Sequence, residues 1–147
     1  MPTNFDDDDV TRLRIALARI ARLLDRQSRG QELTGTQASV LGTVARRGPL
    51  RISELAEREG INPTMLSRIV GKLEQALLLQ RRPDPEDGRA ARVQVTEAGA
   101  ELNRRQRAQR TRVLGDRLAT LSPPHAAAVL AALPALEALA DQLAERP

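Results

Sequence analysis

The sequence predicts a mostly helical fold carrying one small β-hairpin. Three observations lead there. Apolar residues recur every three or four positions along most of the chain, the period of a helix with one buried stripe. Aromatic residues make up 1% of the 147 residues against 41% apolar, so the core must be built from Leu, Val, Ile and Ala, which favour helix-on-helix packing. One stretch alone, residues 78–96, replaces the helical period with two short β-type runs around the turn DPEDG.

The elements follow in order. Four consecutive aspartates, Asp6–Asp9, precede the stripe Val10, Leu13, Leu17, Ile20 and Leu24. Carboxylates at a helix start offset the macrodipole, whereas an exposed aspartate run has no convergent geometry for a metal. Gly30 is the expected stop. Thr34 with Gln37 is a capping-box pattern opening the next helix, with Val40, Leu41 and Val44 as its apolar face. That helix ends in RRGP: Arg46 and Arg47 against the C-terminal dipole, Gly48 as a left-handed cap and Pro49 beyond.

A short helix over ISELAEREG presents Ile52, Leu55 and Ala56 and stops at Gly60. The turn GINP leads at once into another helix, with Asn62 as N-cap and Pro63 as its first residue, where a missing N–H costs nothing. Two short helices joined by a tight glycine turn form a helix-turn-helix pattern. Strands are expected over Leu78–Pro83 and Arg92–Thr96, then a helix from Glu97 to about Thr120. Ser122 and Pro123 start a last helix, which Pro134 should kink or split. The organisation is an N-terminal tail and helix (1–33), a lobe (34–99) and C-terminal helices (100–147), forming one compact unit.

Charge narrows the function classes. The formal net charge is +4, yet residues 1–33 are neutral and the lobe and C-terminal part each carry +2, so any case for an anionic partner rests on particular arginines. There is no cysteine, one histidine (His125, read as a surface residue) and no glycine-rich phosphate loop. That leaves little for nucleophilic, metal, redox or nucleotide chemistry, and neither an enzyme nor a cofactor is expected. No run of about 18 uninterrupted apolar residues and no signal-peptide pattern occurs, so a cytoplasmic protein without a membrane partner is expected. NRRQRAQRTR, residues 103–112, spreads its arginines over more than half the helix circumference, as a solvated surface does.

On a helical wheel, Leu66, Ile69, Val70, Leu73 and Leu77 share one face of the helix after the turn. Thr64, Arg68, Gly71 and Gln75 point away, flanked by Ser67 and Lys72, and no acid lies among them. An acid-free face of short polar and basic side chains suits a DNA major groove, which lies between two lines of phosphates, and taken alone it suits an ordinary solvated face equally well. Thr, Ser, Gln and Arg can read base edges, and Lys72 is better placed for a phosphate. The residue between the strands that matters most is Arg89, because a narrow minor groove attracts arginine. Asp87, two residues away across Gly88, is expected to pair with Arg89, and Asp84 to order the turn through backbone N–H groups. Arg92 on the returning strand is a further candidate DNA contact. DPEDG lacks the alternating ligands of a calcium loop.

This order of elements resembles the MarR family of bacterial regulators over essentially the whole chain. The likeness rests on LTGTQASVL (33–41), ISELAEREGINPTMLSRIVGKLE (52–74) and DPEDGRAARVQVTEAGAEL (84–102), with Asp84, Asp87, Arg89, Thr96 and Gly99 at the family's marked positions. The resemblance implies a winged helix-turn-helix flanked by dimerisation helices. It also implies a homodimer that binds pseudo-palindromic operators and usually represses. A small-molecule pocket between lobe and dimer helices, often taken by anionic aromatic compounds, is part of the same pattern. Two departures stand out: no cysteine for peroxide sensing, and Pro134 in a dimer helix.

Overall fold

The structure is a computed structural model describing residues 4–27 and 32–144; Gly30 lies outside the described residues. The elements are α1 (Asp7–Gln27), α2 (Gly35–Arg47), β1 (Leu50–Arg51), α3 (Ile52–Glu59), α4 (Pro63–Gln75), β2 (Leu79–Pro83), β3 (Ala91–Val95), α5 (Glu97–Leu118) and α6 (Pro123–Ala144). The caps behave as local chemistry dictates. Thr34 Oγ1 accepts the Gln37 N–H at 3.2 Å while the Gln37 side chain accepts the Thr34 N–H at 3.0 Å. Asn62 Oδ1 accepts the Thr64 N–H at 2.9 Å, directly before Pro63.

The core lies inside the lobe. Val40, Leu41 and Val44 of α2 meet Leu55 of α3, Leu66, Val70 and Leu73 of α4, and Val93 of β3. Leu102, in the second turn of α5, belongs to the same cluster, so the lobe's core extends into the long helix. Burying side chains of this size stabilises the lobe by roughly 1.5–3 kcal/mol each before entropy is counted.

Three expectations are corrected here. The hairpin is not two-stranded: β1 adds to it, giving an antiparallel sheet of order β1-β3-β2, with Leu50 opposite Val93 and Arg51 opposite Arg92. Gly48 has the expected positive φ, 78°, but ψ is −163°, so it turns the chain into β1 instead of forming a left-handed cap. Leu77 is not in the core stripe; it is 73% exposed. α4 ends at Gln75, so the wheel no longer applies two residues later. Leu77 instead takes φ 59°, the left-handed position that closes the helix.

Pro134 lies within a single helix, α6, which it does not split. Proline fixes φ at a helical value and removes one hydrogen bond, and the Ala/Leu-rich flanks continue the helix on both sides. α1 and α6 carry most of the exposed large apolar side chains among the described residues. Val10, Leu13, Leu17 and Ile20 of α1, and Val129, Leu130 and Leu133 of α6, are all exposed.

Candidate nucleic-acid interface

α4 sorts its side chains cleanly. Leu66, Val70 and Leu73 are buried, and Thr64, Ser67, Arg68, Lys72 and Gln75 are all exposed on the other side. A Cβ at Gly71 would meet nothing within 4 Å, so the chain's own packing does not require glycine there. Open backbone on an exposed helix face suits close approach of another surface. The helix's only acid, Glu74, is engaged: its Oε1 accepts the Arg81 Nε–H at 2.8 Å. The one carboxylate of this helix is therefore compensated.

The wing is built around Asp84. Its carboxylate has no exposed side-chain surface and accepts the Arg51 Nε–H at 2.5 Å and the Glu86 N–H at 2.9 Å. The Arg92 Nε stands 3.3 Å from the same carboxylate oxygen, an ion pair without hydrogen-bond alignment. The Arg51 bond first, then the Glu86 N–H and Arg92, hold the Asp84 carboxyl well below the usual carboxylate range. Asp84 thus orders the turn as expected, and it also binds two arginines that the sequence did not connect to it.

Asp87 acts differently from expectation. Its Oδ1 accepts the Arg89 backbone N–H at 3.0 Å, fixing the turn and leaving the Arg89 side chain exposed at the tip. Arg92, expected among the DNA contacts, directs its Nε to the buried Asp84 and its Nη2 toward Glu86 at 4.0 Å. Arg51 was missed because a two-residue strand leaves no period to read. Its identity as the Asp84 partner emerges only when β1 pairs with β3.

The end of α4 is pinned to the start of α5. Thr96 Oγ1 donates to the Leu77 carbonyl at 2.6 Å and accepts the Gly99 N–H at 3.0 Å, while the Thr96 N–H donates to the Leu78 carbonyl at 3.1 Å. A Cβ on Gly99 would lie 2.1 Å from the Leu78 oxygen, so only glycine fits. Behind the lobe, a crevice of about 640 Å³ is bordered by Asp25, Thr34, Ser39, Glu59, Ile61 and Arg110. Glu59 is held by Ser39 Oγ at 2.8 Å and Thr43 Oγ1 at 2.5 Å, and the buried Arg110 Nε has no hydrogen-bond partner among the described residues. The arginine-rich stretch 103–112 is two-sided: Arg104, Arg105, Arg107 and Arg112 are exposed, while Asn103 and Gln106 are buried. His125 is exposed, its Nδ1 2.9 Å from Ser122 Oγ.

Helix-turn-helix, three-stranded wing and long flanking helices define a winged helix-turn-helix regulator. The model of the MarR family matches residues 33–91. An HTH-type transcriptional regulator of Mycobacterium bovis, Mb0904, is 33% identical over 130 residues, covering 88% of this chain and 91% of that protein. The HTH-type transcriptional repressor MdtR of Bacillus subtilis is 32% identical over 69 residues, 47% of this chain and 44% of that one. The crystal structure of RV1404 from Mycobacterium tuberculosis superposes with a TM-score of 0.82 at 22% identity, over 95% of this chain and 97% of that one. The chain belongs to the MarR family, a family of DNA-binding transcriptional regulators and not of enzymes.

Proposed function

We propose that this chain binds double-stranded DNA sequence-specifically as a homodimer and represses from a pseudo-palindromic operator. In this reading α4 enters the major groove. Thr64, Ser67, Arg68 and Gln75 face base edges, Lys72 meets a phosphate, and Arg89, with Asp87 bracing its backbone, enters the neighbouring minor groove. The observation that carries the reading is the exposed, acid-free face of α4 with Glu74 tied to Arg81. Arg92 belongs to the support of the wing. A repressor needs only to occupy its operator, and the name of the Bacillus subtilis relative favours that role.

The exposed apolar stripes of α1 and α6 support assembly, since a two-fold copy buries both at once. α6 is long and apolar enough by composition to cross a membrane, with mean hydropathy 1.4 over Pro123–Leu143. An interface between copies would account for the same surface, and membership of a family of DNA-binding regulators supports a cytoplasmic protein. The unpaired Arg110 Nε favours an effector with one anionic group, a small apolar carboxylate or phenolate, seated in the crevice behind the lobe.

The test is a titration with the DNA flanking the protein's own gene at two salt concentrations. Neutralised phosphates release counterions, so affinity should fall steeply with salt. Binding that ignores salt, or that is equal on unrelated DNA, would overturn the reading.

A further inference from the structure

The register of the sheet sets three arginines side by side: Arg51 on β1 opposite Arg92 on β3, and Arg92 opposite Arg82 on β2. Paired residues on neighbouring strands point to one face of the sheet, and like charges so placed repel. One buried carboxylate resolves this. Asp84 leaves β2 at the root of the turn, folds back under the row and takes both Arg51 and Arg92. Arg82 remains exposed, with no ion pair among the described residues.

The two arginines come from different strands of the sheet. Arg92 is on β3 of the hairpin, whereas Arg51 is on β1 immediately before α3, where its backbone N–H is taken by Glu54 Oε2 at 2.9 Å. The Arg51–Asp84 bond therefore spans 33 residues and joins the wing's root to the first helix of the helix-turn-helix. Asp84 also closes the turn from inside, since its own N–H donates to the Ala90 carbonyl at 3.1 Å and its Oδ1 holds the Glu86 N–H. Its N–H and both carboxylate oxygens are used in fixing where the turn sits.

We propose that Arg51, Asp84 and Arg92 form a latch that sets the angle of the wing against α3 and α4, making them positioning residues for the groove contact of Arg89. This rests on the DNA-binding reading above. A minor groove is about 6 Å wide, so an arginine delivered from a wing free to swing would miss it for much of the time. Removing the latch should then cost the Arg89 contact without touching α4.

The test is a thermodynamic cycle on the full chain, using Arg89→Ala, Asp84→Asn, Arg51→Gln and the two doubles that include Arg89→Ala. Arg89→Ala should weaken operator binding about tenfold in the parent protein, but less than about twofold once either latch residue is changed. Arg51 is partly exposed and its loss leaves Arg92 on Asp84, so Arg51→Gln keeps the test available should Asp84→Asn fail to fold. An undiminished Arg89 penalty in the latch variants would overturn the proposal. A second readout needs no DNA. In Arg51→Gln, amide exchange at Glu86, Arg89 and Ala90 should rise about tenfold while α4 amides keep their rates. Unchanged exchange in the wing would sink the latch whatever the DNA result. Faster wing exchange in a protein that binds no operator would instead sink the DNA reading and leave the latch standing.

Discussion

Arg89 and Asp84 are two charged residues of one turn with opposite fates. Arg89 is exposed at the tip and touches nothing that folding needs, so Arg89→Ala should reduce operator affinity about tenfold with an unchanged thermal melt; a fluorescence anisotropy titration reads it. Asp87→Ala should give a smaller loss in the same direction, because it frees the Arg89 backbone N–H and leaves the guanidinium in place. Asp84 is buried under two arginines, and its folded-state pKa is depressed. A depressed carboxyl contributes stability that is fully present above its unfolded pKa of about 4 and is lost as pH falls toward the folded value. Urea midpoints measured from pH 6 to pH 3 should therefore drop on the acid side, and Asp84→Asn should flatten that drop while lowering the midpoint at neutral pH.

Helix α4 and its joint with α5 carry the predictions at the next scale. Lys72→Ala should weaken binding about equally on all operator variants and reduce the salt slope by about one, whereas Arg68→Ala should change which bases are preferred. Identical losses for both across a mutated operator panel would remove the division between base reading and phosphate contact. Gly99→Ala forces a Cβ onto the Leu78 carbonyl; such overpacking costs about 1–3 kcal/mol or more, and a denaturant midpoint measures it. Most of these elements were legible because each announces itself locally. Thr34–Gln37 and Asn62–Pro63 name helix starts, Gly60 a stop, and the α4 stripe its buried face. What stayed hidden depends on pairing across long separations. β1 has two residues and no period. Arg51 finds Asp84 only after the sheet forms, and Leu77 fell off its wheel because the helix stopped first. The exposed face of α4 was readable for the same reason its core face was, since one helical period fixes both.

At the scale of the whole molecule, the uncovered faces of α1 and α6 predict a dimer at micromolar concentration. Sedimentation velocity should show it, and a monomer that still binds its operator tightly would contradict it. α5 leads out of the lobe without a linker: Leu102 is in the lobe's core, and the helix runs on to Leu118. Such a member works as a lever. Its 22 residues span about 33 Å at 1.5 Å each, so a tilt of about 6° carries its far end through roughly 3.4 Å, the rise of one base pair. In the proposed reading, an effector bound beside Arg110 would have no need to unfold anything or to touch α4. A few degrees at the long arm would leave the two reading heads one base-pair step out of phase with their operator.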